Sequence, residues 1–578
     1  MKTICITSAI LLLFASCNDL DLNPLSEGSS ETWYRNEDEV NMACAHLFNI
    51  DFWDSELTRN STAGGGYSHD WTDTYTDDWT ARASLSAVTS ATINSQTNVV
   101  TITWAYAYRC IAAANRVIAN LSHASTDLTA EKIAHYEAVA RFARASQYAK
   151  LIFLYGDVPY YTDVLAIEAA MDLGRTDKQT ILAAIYDDYD FAATHLPESY
   201  SGNTIQYPTK GAAYAMKARI ALYMGDWTAA RDAAKACMDL GVYSLYPDFY
   251  TLFLSKTKNS SESVFATPRS VSLGVVIPGA GRAKEPLTRI AGGFGNGGPS
   301  WDLLCAFLCT DGLPIDESPQ YDPHEPFKNR DPRLAATIVP FQTPWLGYIH
   351  QPHPDSLTVL NLNTGIRQSN LDSRAVDQYA SYNGLTWKKK IDEDWLDLLT
   401  DPDNTVIRYA DVLLMYAEAR IELGEIDASV TDVINQVRAR AYGVDPGDIE
   451  AYPVVTETDP AALRRILRIE RRMEFAFEGR RYADLIRWRL AGKALNKPIY
   501  GLLDVADLRE RVVKPGGWFF PSVTPIDEDG IPDFSGMLQA GQILKLTDRK
   551  FDESKQYLWP IPAKEILTNP KLKQNPNY

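Results

Sequence analysis

Apolar residues recur at spacings of three and four along several long stretches of the chain, the pattern of helices that bury one face. The clearest stretch, residues 136–156, combines Ala, Leu and aromatic side chains and stops at Gly156. Three further segments each show two such patterns separated by one glycine: 208–241 at Gly225, 408–443 at Gly424 and 462–488 at Gly479. Because glycine readily ends a helix, each of these segments predicts a helix, a tight turn and a second helix.

A single helix pair cannot bury its own apolar face, so such pairs are expected to stack on one another, as tetratricopeptide-type repeats do. Between 251 and 407 this periodicity fades while Gly, Pro and aromatic residues become frequent, which predicts loops and short strands. The expected fold is mainly α, with a tetratricopeptide-like helix-pair scaffold and a large loop-rich, short-strand-containing region packed on it. The expected divisions are an N-terminal helical region over 37–250, a loop-rich ligand-binding region over 251–407, and C-terminal helix pairs with a wrapped tail over 408–578.

The first residues predict a secreted, anchored protein. Residues 1–16 form a signal peptide with Lys2 and an apolar run that ends before Cys17, which resembles a lipoprotein signal cleaved before a lipidated cysteine. An ordinary secretory signal followed by a chance cysteine is the alternative. Residues 17–36 are polar and turn-rich, as expected of a tether. No apolar run reaches the roughly 20 residues that span a bilayer.

Composition excludes several classes. Lys plus Arg total 56 and Asp plus Glu total 74, a net charge of −18, which repels phosphate backbones and argues against nucleic acid as a partner. Hydrophobic residues at 46% and charged residues at 22% are ordinary for a packed protein. Five of the seven cysteines follow Cys17, without a CxxC pair, so neither a disulfide framework nor a zinc site is predicted. Cys305 and Cys309 are expected to be buried on one face of a helix.

Catalytic and cofactor motifs are largely absent. The chain has no phosphate-binding GxxxxGK[ST] loop and no HExxH pair, and the glycine run 292–298 follows no clear strand, so it is interpreted as a loop. His350 and His353 lack a third metal ligand, and no metal or cofactor is predicted. The acids Asp73, Asp77 and Asp78 would suit a glycosidase only at the right separation, and solvated or hydrogen-bonded carboxylates are preferred. The Arg- and Glu-rich segment 470–484 is interpreted as ion-paired within itself rather than as an anion site, with Arg471, Arg472, Arg480 and Arg481 as partners of Glu470, Glu474, Glu478 and Asp484.

Aromatic and polar residues alternate in two irregular stretches, and this is the best functional signal. A sugar ring offers an apolar face to Trp or Tyr and hydroxyls to Asp or Asn. The predicted ligand contacts are Asp70, Trp71, Tyr75, Trp79, Asn296, Trp301, Trp345 and Tyr348. The alternative is that these rings complete the core beneath long loops.

Taken together, several segments resemble the SusD/RagB-like outer-membrane lipoproteins of Bacteroidetes. They are Cys17 with its acidic followers, 104–118, 208–227, 299–315, 330–334, 406–425, 470–488 and 557–578. The resemblance implies four tetratricopeptide-like helix pairs and a non-enzymatic, lipid-anchored protein on the cell surface. It also implies a SusC-like TonB-dependent transporter as partner. The family's binding residues vary, so none is transferred.

The expected function is capture of oligosaccharide or polysaccharide and its delivery to that transporter. One alternative keeps this role with a peptide or another non-glycan ligand, and another is a glycoside hydrolase. The acidic overall charge suggests neutral ligands or cationic groups in preference to polyanions, so a heavily sulfated or uronic-acid glycan is not expected.

Overall fold

The computed structural model describes residues 33–53, 71–82, 84–124, 126–202, 207–276 and 283–578. The predicted signal segment 1–16, the lipid-accepting Cys17, most of the tether 17–36 and the predicted ligand contact Asp70 lie outside these residues. For Trp71 only the backbone is described. None of the helices in the described part of the chain is long and apolar enough to cross a membrane.

Helices build the N-terminal part, as the apolar periodicity predicts. They are α1 (Glu37–His46), α2 (Ile50–Trp53), α3 (Asn98–Asn120), α4 (Ala130–Tyr155), α5 (Ile167–Ala170), α6 (Lys178–His195), α7 (Lys210–Met224) and α8 (Trp227–Asp239). Helix α4 ends before Gly156, and α7 ends at Gly225 in the left-handed conformation. Asp226 then caps α8 by accepting a hydrogen bond from the Ala229 amide at 3.1 Å. The Gly-Asp pair therefore ends one helix and starts the next.

Further helices follow in the loop-rich and C-terminal regions. They are α9 (Trp301–Ala306), α10 (Pro332–Thr337), α11 (Tyr409–Leu423), α12 (Ala428–Tyr442), α13 (Pro460–Glu474), α14 (Arg481–Arg487), α15 (Ala491–Leu495), α16 (Val505–Leu508), α17 (Ser535–Gln539) and α18 (Ala563–Thr568). Gly424 separates α11 from α12 as predicted. The break between α13 and α14 is longer than one glycine, because residues 475–480 lie outside both helices. Cys305 and Cys309 are buried, as expected, but α9 ends at Ala306, so they do not share a helix.

The strands are short and pair antiparallel, which agrees with the predicted loop and short-strand character. They are β1 (Trp79–Thr80), β2 (Ser263–Thr267), β3 (Gly298–Pro299), β4 (Thr343–Trp345), β5 (Tyr348–His350), β6 (Thr358–Leu360), β7 (Arg367–Ser369), β8 (Asn404–Arg408), β9 (Pro498–Gly501) and β10 (Leu544–Asp548). The pairs are β1–β3, β2–β8, β4–β5, β6–β7 and β9–β10. Such pairs fasten loops to one another without forming a large sheet.

The long helices form one continuous layer, which confirms the mainly α, helix-pair scaffold. Helices α3, α4, α6, α7, α8 and α11 pack against one another in succession, and α11 also contacts α12 and α13. Fully buried small residues such as Ala140, Ala218 and Ala417 lie in the seams. Their size allows the helices to approach closely.

The loop-rich region has an apolar core of its own. Its buried side chains include Trp79, Trp301, Trp387, Phe477 and Phe519, together with aliphatic residues from α13 and the segment 499–543. The long loops therefore enclose tightly packed rings, and much of the chain's aromatic content is used in this core.

Buried ion pairs join the loop region to the helical layer through the predicted ion-paired segment. Glu474 accepts hydrogen bonds from Arg333 at 2.9 Å and from Arg408 at 2.6 Å. Glu478 accepts from Lys389 at 2.6 Å and from Arg408 at 2.7 Å. Burial alone would raise the pKa of Glu478, but the cations of Arg408 and Lys389 lower that pKa to about 2. The segment is ion-paired as predicted, but of the pairings expected within it only Arg471–Asp484, at 3.2 Å, forms among the described residues, and the other partners are mostly distant in sequence.

Candidate functional site

The segment 73–80 is attached to α13 and α14 by buried ion pairs. Asp77 accepts hydrogen bonds from Arg472 at 2.9 Å and from Arg481 at 2.9 and 2.8 Å. Asp78 accepts from Arg472 at 2.9 and 2.6 Å. These four residues are at most 5% exposed. Burial would raise the pKa of Asp77, but the guanidinium groups of Arg472 and Arg481 hold it below its usual range. Asp77 and Asp78, weighed above as possible catalytic acids, are structural anchors here.

A cavity lies where the strand pair β1–β3 meets the loops 286–297 and 381–387, and we call it the loop cavity. It measures about 540 Å³ with its open mouth included, of which about 30 Å³ can hold the centre of a water molecule, and its lining includes Arg82, Asn296, His350 and Tyr382. In the β1–β3 pair, Thr80 lies opposite Gly298. Because the pairing is antiparallel, Arg82 and Asn296 leave the same end of the pair and come together.

Arg82 connects three loops at the edge of this cavity. Its Nη1 donates to Oδ1 of Asn296 at 3.0 Å, and its Nη2 donates to the carbonyl oxygens of Phe294 at 3.2 Å and Tyr379 at 2.8 Å. Its backbone φ is 52°, in the left-handed region that residues with a Cβ seldom adopt. Among the described residues, no carboxylate pairs with Arg82, and its buried Nε has no hydrogen-bond partner. A full positive charge is therefore held by neutral acceptors.

Guanidinium groups and tyrosine rings alternate beside the cavity, and we call this set the Arg–Tyr ladder. The Tyr379 ring centroid lies 5.6 Å from the guanidinium carbon of Arg289 and 5.5 Å from that of Arg82. The Tyr382 ring centroid lies 5.9 Å from that of Arg82 and 4.4 Å from that of Arg374. These separations fall within the range of cation–π attraction. Tyr379 is 51% exposed, so the ladder presents an aromatic ring to solvent.

His350, the last residue of β5, brings an unsatisfied polar group to the cavity. The residue is 3% exposed. Its Nδ1 lies 3.6 Å from Oδ2 of Asp372, beyond hydrogen-bond length. Neither ring nitrogen has a hydrogen-bond partner within the described residues. A buried polar group left in this state costs about 1–3 kcal/mol, which a bound hydroxyl could recover.

Close packing explains Gly297 in the glycine run 292–298. A Cβ on Gly297 would lie 2.3 Å from Cζ2 of Trp79. Trp79 is itself held edge-on against Trp387, with centroids 5.8 Å apart, and Phe477, with centroids 5.9 Å apart. Only a residue without a side chain fits between this ring cluster and the cavity.

The structure brings some of the residues predicted from sequence to the loop cavity. Asn296 lies in its lining. Trp79 and Trp301 lie behind that lining, 6% and 2% exposed. The Trp301 Nε1 donates to the carbonyl oxygen of the lining residue Asn383 at 2.9 Å. These two rings therefore support the cavity wall, with their faces covered by protein.

The other predicted residues are placed differently. Trp345 and Tyr348 lie opposite each other in the β4–β5 hairpin that carries His350, and Trp345 is 7% exposed. Tyr75 is 3% exposed and packs in the helical core, 5.7 Å from Tyr482 between ring centroids. The buried rings therefore agree with the alternative interpretation, in which these rings complete the core. The side chain of Trp71, like the whole of Asp70, is not among those described.

Sequence reasoning missed the residues of the ladder. Tyr379 and Tyr382 lie in a short aromatic and polar stretch of the same kind as those selected, so the same rule applied to residues 379–383 would have found them. Arg82 gave no sequence signal, because its role depends on loops more than 200 residues away.

A second, wider cleft of about 1170 Å³ lies on the helical layer, between α4, α7 and β8. Its lining is more apolar, and its Arg219 is paired with Asp411 at 2.8 Å. Trp53 lines one side, immediately before residues that are not described. Within the described part of the chain, no group of three or more His, Cys, Asp or Glu side chains is arranged to hold a metal ion.

The helical scaffold with loops packed on it is the fold of SusD-like proteins of known structure. Residues 277–578 match the model of the SusD family, and residues 55–222 match a model described as starch-binding associating with outer membrane. Because the first match spans more than half of the chain, the protein belongs to the SusD family.

Comparisons with individual relatives and solved structures agree with this family assignment. The chain is 23% identical to SusD-like protein P2 of Formosa agariphila over 596 residues, covering all of both chains. Among solved structures it resembles a SusD-like carbohydrate binding protein from Bacteroides fragilis NCTC 9343, with a TM-score of 0.75 and 26% identity, over 93% of this chain and 99% of the other. A laminarin binding SusD-like protein shares the fold, with a TM-score of 0.60 and 20% identity, over 94% of this chain and 100% of the other.

Proposed function

We propose that the protein captures oligosaccharide or polysaccharide at the cell surface and that the loop cavity is its binding site. The observation that carries this proposal is the half-exposed Tyr379 beside a cavity with unsatisfied polar groups on His350 and Arg82. A sugar ring can place its C–H face on a tyrosine and direct its hydroxyls to such groups. The description of the relative from Bacteroides fragilis as carbohydrate binding supports the proposal.

The protein's place in the cell is part of the same proposal. Lipid on Cys17 would anchor it to the outer membrane, and residues 17–36 would act as a tether. From there it would pass its ligand to a SusC-like TonB-dependent transporter. The family match to proteins associating with the outer membrane supports this location. A stable contact with the transporter would bury roughly 1,200–2,000 Å² in total, the usual range for specific protein interfaces.

We propose binding without turnover. A glycosidase needs two carboxyl groups that reach the scissile bond. Asp77 and Asp78 are enclosed with Arg472 and Arg481, so they are not available for that purpose. Incubation with the bound glycan, followed by chromatography of the mixture, should give no shorter products.

Affinity electrophoresis and titration calorimetry over a panel of polysaccharides and oligosaccharides test the proposal. Tyr379→Ala should weaken binding by about 2- to 10-fold, because an aromatic contact contributes about 0.5–1.5 kcal/mol beyond the area it buries. Tyr246→Ala, at a partly exposed tyrosine outside the cavity lining, is the matched control and should bind normally. Failure of the folded protein to bind any glycan, or unchanged affinity in Tyr379→Ala, would contradict the proposal.

The contacts predicted from sequence alone stay predictions. Trp71→Ala should weaken binding if its ring reaches the ligand. Substitution of Trp79 should act mainly through the cavity wall, and substitution of Trp345 through the hairpin that carries His350, since both rings are nearly covered. A fall in melting temperature that parallels the loss of affinity would distinguish this indirect effect from a lost contact.

A further inference from the structure

The charges beside the loop cavity contrast with those of the whole chain. The chain carries a net −18. Three arginines, Arg82, Arg289 and Arg374, nevertheless converge on Tyr379 and Tyr382. Charges farther away than about 10 Å are largely screened at ordinary ionic strength, so a ligand in the cavity responds to this local cluster rather than to the net charge.

The carboxylates near the ladder neutralise the positive charges of these three arginines to different extents. Arg289 is paired with Asp377 at 2.9 Å. Arg374 has only Asp504 within ion-pair distance among the described residues, at 3.4 Å, and that aspartate side chain is 82% exposed. Arg82 has no carboxylate within ion-pair distance among the described residues. Two guanidinium groups therefore have little or no local neutralisation.

Both of these arginines also retain unused hydrogen-bond donors. Nε and Nη1 of Arg374, and Nε of Arg82, are buried and have no acceptor within the described residues. The N–H groups of a guanidinium lie in its own plane. An oxygen of a carboxylate or sulfate that reaches one of them would accept a charge-assisted hydrogen bond, which is stronger than a bond between neutral groups.

The acids that line or border the cavity lie deeper than the ladder. Asp372 is 7% exposed and accepts a hydrogen bond from the Ile290 amide at 3.2 Å. Glu285 is 5% exposed and accepts from Nδ2 of Asn296 at 3.1 Å. Arg374, whose side chain is 18% exposed, and Tyr379, which is 51% exposed, are therefore nearer to solvent than these two acids.

From this arrangement we infer that the loop cavity selects saccharides that carry an anionic group, a uronate carboxylate or a sulfate ester, with Arg82 and Arg374 as the specificity-determining residues. The inference rests on the proposed glycan-binding function and reverses the expectation drawn from net charge. The tyrosines would accept the sugar ring while the guanidinium groups bind its oxyanion.

The test compares matched ligands by titration calorimetry at low and high ionic strength. One arm uses oligogalacturonate and its carboxyl-reduced counterpart, and a second uses a sulfated galactan oligosaccharide and its desulfated counterpart. We expect the anionic member of at least one pair to bind about tenfold more tightly than its neutral counterpart, since hydrogen bonds to a charged group are the stronger kind. Added salt should reduce this advantage. The ligand pair whose anionic member binds more tightly identifies whether the recognised group is a carboxylate or a sulfate.

Arg82→Gln and Arg374→Gln should each reduce the ratio of anionic to neutral affinity. Either variant alone suffices if the other fails to fold. Arg489→Gln is the matched control, since Arg489 lies 4.2 Å from the Tyr557 ring centroid and outside the cavity lining. If neutral saccharides bind as well as the anionic ones in both arms, the inference is wrong and the proposed function stands. If the preference survives both substitutions, the assignment to the ladder is wrong, and if no saccharide binds, the proposed function fails as well.

Discussion

Replacement of Asp77 by asparagine tests whether buried ion pairs hold the segment that leads to Arg82. The substitution keeps the shape of the side chain and removes its charge. Asp77 is fully buried and pairs with Arg472 and Arg481. Arg472 keeps Asp78, whereas Arg481 loses the only carboxylate within ion-pair distance among the described residues.

The magnitude follows from the group left behind. Removal of one partner of a buried ion pair typically costs about 3–5 kcal/mol, because the other charge stays desolvated and unpaired. Asparagine can still accept one hydrogen bond, so we expect Asp77→Asn to lower the free energy of unfolding by about 3 kcal/mol, the lower end of that range. Addition of Arg481→Met should recover part of this loss, because the unpaired charge is then removed.

Urea unfolding followed by circular dichroism measures the change. The control is Asp190→Asn, which removes an ion pair with Lys217 at 2.7 Å where the aspartate side chain is 55% exposed, and it should cost less than about 1 kcal/mol. If Asp77→Asn costs no more than this control, or if Arg481→Met makes the double variant less stable still, the reasoning about an unpaired guanidinium is refuted.

Three further predictions concern packing, pH and anchoring. Gly297→Ala should lower the free energy of unfolding by about 1–3 kcal/mol, because its Cβ would overlap the buried ring of Trp79. Gly174→Ala, with open space around the new Cβ, is the control and should be tolerated. Equal unfolding midpoints for the two variants would contradict this prediction. Glu478, whose folded pKa of about 2 lies below its ordinary 4.5, contributes stability that is present above pH 4.5 and lost as pH falls towards 2. Glu478→Gln should therefore flatten the acid limb of the stability profile, and an unchanged limb would argue against the pairing. Cys17→Ser should move the protein from the membrane fraction to the soluble fraction after cell disruption, and retention in the membrane would count against lipid anchoring.

The helical scaffold could be predicted because its causes are local. Apolar residues at helical spacing predict α4, which is buried on nearly every side from Tyr136 to Tyr155, and Gly225 and Gly424 end their helices in the left-handed conformation that glycine readily adopts. The break near Gly479 was longer than predicted. Glu478 in that break is held by Arg408 and Lys389, which are distant in sequence.

The candidate site could be predicted only in part. Asn296, selected because its loop is polar and irregular, lies in the cavity lining, and its contact with a ligand stays a prediction. Trp79, Trp301 and Trp345 share the composition expected of a binding surface, yet they are buried by neighbouring segments. Composition cannot separate a ring that meets a ligand from one that meets another ring, since both need the same chemistry.

The class of fold, the membership of the SusD family and the loop-rich character of the region beside the cavity can be inferred from the amino-acid sequence. These properties follow from periodicity, turn residues and motif order. The folded chain is needed to show which rings stay exposed, that Asp77 and Asp78 serve as anchors, and that Arg82 has no carboxylate partner among the described residues beside Tyr379 and Tyr382. These outcomes depend on contacts between segments up to several hundred residues apart, so no local sequence pattern predicts them.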